Sequence, residues 1–313
     1  MTHRRETDGG KKDSKKKKKV LFVGDTHVEF AFMNYALKEL KPDVAIVVGD
    51  FGYWKKSDFS ETGDETGYFF DSLVNDHTKV YFCDGNHENH KLLRELVAEH
   101  GSDKPIRIRK RLYFMPRGSS LKLNGKRYLF VGGALSIDKE FREPGKTWFP
   151  EELLTETEVK AIMKTVDLDK IDVMVTHTVP SVGIDAVCKA CQLQRDWLLG
   201  TVSEDSLQLL FERLPRVRDW YFGHWHQTAE FTVPRSRINF HMLNMTPYEG
   251  CLRGKGYSKK RLARVEKEYM ERLEAEAAAA EAEAEAVPEE ALGSETPEAA
   301  EAPAEKPEAA GGL

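Results

Sequence analysis

The stretch Tyr-Phe-Gly-His-Trp-His-Gln at residues 221–227 places two imidazoles one residue apart behind a short apolar run. In extended chain, residues i and i+2 face the same side, so His224 and His226 can reach toward one point. Alone, the pair reads more readily as surface histidines at a strand end. The same arrangement recurs, however, along the chain. Asp25 and His27 follow Val-Leu-Phe-Val-Gly, and Asp50 follows Val-Ala-Ile-Val-Val-Gly. Asn86 and His87 follow Val-Tyr-Phe-Cys-Asp-Gly, and His177 follows Ile-Asp-Val-Met-Val-Thr. This is a set of oxygen and imidazole donors without a thiolate, which suits Mn, Fe, Zn or Co. So many side chains exceed the needs of one tetrahedral ion. Two ions about 3.5–4 Å apart, sharing one carboxylate, use about that number.

Such residues must be carried to one place by the elements before them. The apolar runs are short and nearly continuous in apolar character, as in strands buried on both faces. Between them, apolar residues at helical spacing predict helices over 27–40, near 65–77, and over 89–100, 150–163 and 203–214. Alternating β and α segments imply a sheet covered by helices on both sides, where ligands collect at the carboxyl ends of the strands. Asn124-Gly125-Lys126 joins two alternating runs and predicts a hairpin. Beyond Lys259 an Ala/Glu/Lys/Arg-rich segment predicts a charged helix.

Together these blocks resemble the calcineurin-like metallophosphoesterase superfamily, whose pattern is D-x-H, G-D, G-N-H-[DE], a lone His and G-H-x-H. The resemblance covers roughly residues 18–250 and is closest to bacterial and phage-type members. It implies a four-layered α/β/β/α sandwich. It also implies that Asp25, His27 and His226 hold one divalent metal, that Asn86, His177 and His224 hold a second, and that Asp50 bridges them. A hydroxide activated by the two metals would attack phosphorus. His87 would protonate the leaving oxygen as general acid or stabilise the charge developing there. The protein phosphatases of the superfamily read G-D-x-V-D-R-G in the second block. Here it is Gly-Asp-Phe-Gly-Tyr-Trp, without that Arg and Asp, whereas the two-histidine block resembles the phosphodiesterase and nuclease branches. Asp84 is a candidate to orient His87 in place of the absent acid, or else caps its turn. Lys139 and Arg142, after a run ending in Gly-Gly-Ala-Leu-Ser, are candidate contacts for substrate phosphate, with a solvated loop as the competing reading.

The expectation is therefore a hydrolase, a binuclear metal-binding phosphoesterase. Manganese is the favoured metal, with Fe, Zn, Co or Ni as alternatives. A phosphodiester or nucleotide-type substrate is favoured, nucleic acid included. A phosphomonoesterase acting on a small molecule stays open, as does a non-catalytic metal-binding scaffold acting through its charged tails. Residues 1–19 carry nine Lys/Arg against three acids, and residues 273–313 carry twelve Glu and one Lys, so the overall net charge of −5 hides a neutral centre. Tails of that composition cannot bury a core. The expected division is a disordered basic tail over 1–17, the catalytic domain over 18–256, the charged helix over 257–286 and a disordered acidic tail over 287–313. No apolar run approaches the ~20 residues that span a bilayer. The basic start has no apolar segment behind it, and there are only four cysteines. These features lead us to expect a cytoplasmic chain without a membrane partner, and they leave the oligomeric state open. The pair Cys188 and Cys191 has no second such pair to complete a zinc site. The basic, aromatic-interleaved stretch 107–118 reads as an amphipathic strand more readily than as a nucleic-acid track.

Overall fold

The computed structural model describes residues 16–193 and 202–285. The acidic tail, nearly all of the basic tail and the end of the loop after His177 lie outside the described residues. The chain divides into two units, Met1–Glu271 and Arg272–Leu313, and the site lies in the first.

In chain order the first half contains β1 (Val20–Val23), α1 (Phe30–Leu40), β2 (Val44–Val47), β3 (Lys79–Phe82), α2 (His90–His100), β4 (Ile106–Arg109), β5 (Leu112–Phe114), β6 (Ser120–Leu123) and β7 (Lys126–Val131). The second contains α3 (Glu156–Thr165), β8 (Val173–Thr176), α4 (Ile184–Cys191), α5 (Val202–Phe211), β9 (Asp219–Phe222), β10 (Ala229–Phe231), β11 (Asn239–Met242), β12 (Leu252–Lys255) and α6 (Lys259–Glu285). The described strands form two six-stranded sheets, ordered β12-β1-β2-β3-β5-β4 and β10-β11-β9-β8-β7-β6. The central pairs β1-β2-β3 and β7-β8-β9 are parallel. β6 and β7 close the expected hairpin, with Leu123 opposite Lys126.

Alternation along the strands builds the four layers. Val20 and Phe22 of β1, Val44 and Ile46 of β2, and Val173 and Val175 of β8 pack in one cluster between the sheets. Leu21, Val23, Ala45 and Val47 face a second cluster with α1. Leu129, Val131 and Met174 face a third with α3, α4 and α5. The central strands β1, β2 and β8 are buried on both faces, which is why their sequence runs are apolar throughout. The expected α/β/β/α sandwich is the fold observed.

Two local readings change. The helix expected near 65–77 is only a 3₁₀ turn, Phe69–Ser72. There the Asp71 carboxylate accepts the Tyr68 N–H, and Tyr53, Tyr68 and Phe70 pack as stacked or tilted rings, so those apolar residues form an aromatic cluster rather than a helical stripe. The helix expected from Pro150 begins at Glu156 instead, behind a capping box in which Thr155 and Glu158 exchange side-chain and backbone bonds.

Beyond residue 256, where the catalytic domain was expected to end, α6 packs on the core. Leu262, Val265 and Tyr269 of α6 are buried in the core beside α1. The buried Glu266 carboxylate accepts the N–H groups of Gly250 and Leu252 at 3.1 and 2.8 Å. Spacings of three and four residues put these side chains on one face, a stripe masked in the sequence by the surrounding Lys, Arg and Glu. Among the described residues no helix is long and apolar enough to cross a membrane.

A chain ending at Gly256 should therefore be much less stable than one ending at Glu271. Three buried apolar side chains at about 1.5–3 kcal/mol each correspond to a fall in Tm on the order of 10 °C or more. Thermal melts of the two truncated chains check this, and equal melting temperatures would contradict the role given to α6.

Candidate metal centre

The loops after β1, β2, β3, β8 and β9 supply every candidate ligand, and the parallel arrangement delivers them to one end of the sandwich. Among the described residues, Asp25, His27, Asp50 and His226 each offer a ligand atom within 4.8 Å of the others. His27 Nε2 stands 3.0 Å from His226 Nε2 and 3.4 Å from Asp50 Oδ2. His226 Nε2 lies 3.4 Å from Asp25 Oδ2. On the other side of Asp50, His177 Nε2 is 3.3 Å from Asp50 Oδ2 and 3.0 Å from Asn86 Oδ1. The fully buried His177 donates Nδ1–H to the Val48 carbonyl at 3.0 Å. That bond sets the ring so that Nε2 faces the carboxylate. His224 lies outside the four-residue cluster, with its ring 5.0 Å from that of His177. Asp50 is thus flanked by His27 on one side and His177 on the other.

Bringing these groups together strains the backbone. His27, Asp50, His224 and His226 all have positive φ, at 42°, 44°, 71° and 47°. Such conformations cost about 1–3 kcal/mol each in residues other than glycine and concentrate at functional sites. Glycine permits the closest approaches. At Gly49, with φ +109°, a Cβ would overlap the His177 ring, and at Gly223 it would overlap Asp25 Oδ1. The Glu88 carboxylate, fully buried, accepts the N–H groups of Phe51, Gly52 and Tyr53 and so pins the turn after Asp50. The sequence showed Glu88 within its block, but its partners are remote and gave no sign of this role.

The donors fit a cation. Asp25 Oδ1 is buried without a hydrogen-bond partner, while Oδ2 accepts the His224 N–H at 2.8 Å. Burial would raise the Asp50 pKa, but His177, His87 and His27 hold it well below the usual carboxylate range. Burial would lower that of His177, but Asp50 and Asp25 raise it to about 10.

At the edge, His87 is mostly buried, its ring 4.8 Å from that of His27. Its backbone is held by Asp50 Oδ1, which accepts the His87 N–H, and by the Trp54 indole, which donates to the His87 carbonyl. Arg142 Nη2 lies 2.7 Å from His87 Nδ1, and Asp138 Oδ2 accepts from Arg142 Nε at 2.9 Å. Burial lowers the His87 pKa, with His27 and Arg142 adding to the effect against Asp50. Lys139 stands exposed on the neighbouring turn.

Among the described residues, no hydrogen bond joins Asp84 to His87. Asp84 Oδ2 pairs with Arg117 Nε and Nη2 at 2.8 and 2.7 Å. Arg117 also donates to Glu158 and to the carbonyls of Leu153, Glu151 and Glu152. Arg117 lies in the basic stretch 107–118, where Arg109 likewise donates to carbonyls, those of Phe70 and Leu73. Both are occupied inside the fold.

A model of the calcineurin-like phosphoesterase family matches residues 18–228. Among solved structures, the chain is similar to phosphopantetheinyl hydrolase (PptH) from Mycobacterium tuberculosis, at 16% identity and TM-score 0.45, over 76% of this chain and 96% of that one. It is similar to the protein TT1561 of Thermus thermophilus at 13% identity and TM-score 0.41, over 73% and 89%. The corresponding figures for GAP50, the anchor in the inner membrane complex of Plasmodium, are 8% and 0.37, over 72% and 71%. No curated protein matches the sequence.

Replacing Asp50 by Asn preserves size and a residue type that tolerates the left-handed backbone, and removes only the charge. Asp50→Asn is expected to keep the metal-free melting temperature within a few degrees while weakening Mn²⁺ uptake by about 100-fold or more, since the carboxylate faces both halves of the site. Metal analysis after dialysis reads this out, and wild-type uptake would remove Asp50 from the ligand set.

Proposed function

We propose, from the premise that the chain belongs to the calcineurin-like phosphoesterase family, that it is a metal-dependent phosphoric ester hydrolase using two divalent ions. The observation that carries this reading is the convergence of Asp25, His27, Asp50 and His226 on one point, with His177 and Asn86 across Asp50. Asp25, His27 and His226 would hold one ion, Asn86, His177 and His224 the other, and Asp50 both. Mn²⁺ is the proposed metal. When bound, such ions supply Lewis-acid polarisation of the phosphoryl group and lower the pKa of water toward neutrality.

The chain's own residues supply the rest. Arg142, its side chain only 10% exposed and tethered by Asp138, holds a guanidinium against His87, placed to meet a phosphate oxygen beside the metals. His87 presents its ring at the same edge and donates a proton to the leaving oxygen. Burial makes its imidazolium a stronger acid than a free one. Buried aromatics follow Asp50: Phe51, Tyr53 and Trp54. They supply no positive charge where the protein phosphatase pattern carries an arginine. With Arg142 as the cation at His87, the site matches the single charge of a phosphodiester better than the double charge of a monoester. We therefore propose a phosphodiester or nucleotide-type substrate and locate the catalytic domain within Met1–Glu271.

The test is turnover of an aryl phosphodiester and an aryl monoester by chelated and Mn²⁺-restored protein. Chelation should abolish hydrolysis, Mn²⁺ should restore it, and the diester should be preferred. Full activity in exhaustively metal-free protein would sink the reading. His87→Asn should keep both metals while kcat falls by about 10²–10⁴, with a smaller deficit for nitrophenol than for alkoxide leaving groups. Rescue by added metal, with no dependence on the leaving group, would instead make His87 a ligand.

A further inference from the structure

We infer that Ser136 and Glu152 are positioning residues that decide which end of the Asn86 side-chain amide faces the metal centre. This rests on the proposed role of Asn86 as a ligand through its oxygen. An asparagine amide has an acceptor end and a donor end of nearly equal shape. Only the oxygen can bind a cation. Rotation by half a turn would aim an N–H₂ group at the metals, so something must distinguish the two ends.

Hydrogen-bond direction does so. Ser136 and Glu152 are buried, at 1% and 0% exposure, so water does not compete. The Glu152 carboxylate accepts the Ser136 backbone N–H through Oε1 at 2.6 Å and the Ser136 hydroxyl through Oε2 at 2.7 Å. Burial raises the Glu152 pKa, against the opposing pull of these Ser136 bonds and Arg142. A hydroxyl has one proton and two lone pairs, and the proton of Ser136 is committed to Glu152. Its oxygen receives Asn86 Nδ2 at 3.1 Å and Arg142 Nη1 at 3.4 Å. The reversed amide would set its oxygen against a Ser136 oxygen that has no proton left to give. The amide is thereby locked with Oδ1 turned inward, 3.0 Å from His177 Nε2. The same hydroxyl ties Arg142, and through it His87, to the orientation of a metal ligand.

Reversing the direction of this relay is a test that mere packing would not register. In Glu152→Gln, the Ser136 backbone N–H cannot reverse, so it claims the glutamine oxygen. The glutamine N–H₂ then faces the Ser136 hydroxyl, which rotates and donates toward Asn86. The amide is driven to the wrong orientation at almost unchanged volume. Adding Asn86→Asp supplies an acceptor at both ends and satisfies the reversed hydroxyl.

Chelator-stripped native protein, Glu152→Gln, Glu152→Gln/Asn86→Asp and Ser136→Ala would be titrated with Mn²⁺ in a calorimeter, and the metal-free forms melted. Native protein should bind two ions. Glu152→Gln should lose about 10–100-fold in affinity at one of them, the range for outer partners of metal ligands, with the other unchanged and the metal-free Tm preserved. The double variant should recover the lost affinity. Ser136→Ala, which frees the amide without reversing it, should weaken the same ion by less, and it decides the matter alone if Glu152→Gln does not fold. Two ions at native affinity in both single variants would overturn this inference and leave the hydrolase reading standing. Equal weakening of both ions with a fall in metal-free Tm, or no recovery in the double variant, would overturn it as well. Fewer than two ions in native protein would overturn the two-metal reading and this inference with it.

Discussion

Asp25 and Asp50 are buried carboxylates whose oxygens approach within 4.8 Å of each other's cluster partners, and the rest of the structure is arranged around keeping them there. Like charges at such range in a poorly solvated place repel strongly. Each carboxylate is compensated from several directions. The backbone N–H groups of His224 and His87 bond to Asp25 Oδ2 and Asp50 Oδ1, and the imidazoles of His27, His177 and His226 ring them. Even so, Asp25 Oδ1 is left without a partner. A fold that tolerates this cost is organised for cations, and the left-handed backbones at four candidate ligands are part of the same expenditure.

Rigidity behind the site comes from buried polar groups that join distant segments. Arg117 uses its fork of donors on Asp84 after β3, on Glu158 in α3 and on carbonyls of 151–153. It thereby links the loop bearing Asn86 and His87 to the helical layer of the other sheet. Removing one partner of such a pair costs about 3–5 kcal/mol, because the other charge is left buried. Glu88 does for the turn after Asp50 what Ser136 and Glu152 do beside Asn86: a carboxylate with fixed donors around it sets the geometry of an adjacent ligand. Ligands carried on loops thus gain the precision of groups mounted on regular elements.

The open side of the site has a different character. Arg142, at the end of a 3₁₀ turn, faces inward and pairs with the half-exposed Asp138, while Ile137 and Phe141 of the same segment are 85% and 91% exposed. Charge directed at His87 and apolar surface directed outward therefore alternate on one short segment beside the catalytic edge.

The amino-acid sequence by itself determined the strands that carry the site and the order of the candidate ligands. Parallel strands buried on two faces must be written as apolar runs, and ligands at their carboxyl ends follow at once. Thus Asp25, His27, Asp50, Asn86, His87, His177, His224 and His226 could be named before any coordinates. What the sequence could not decide were relations between residues far apart in the chain. Asp84 could be read as a partner of His87 three residues away, because local spacing suggested it. Its bonds go to Arg117, 33 residues on, and only the packing of β3 against β5 brings the two together. The apolar stripe of α6 was obscured by charged neighbours until the helix lay against α1. Likewise, Glu152 reaches Ser136 across 16 residues, and Ser136 reaches Asn86 across 50. A hydrogen bond's direction is a property of three atoms in space, so no spacing in the sequence could have revealed it.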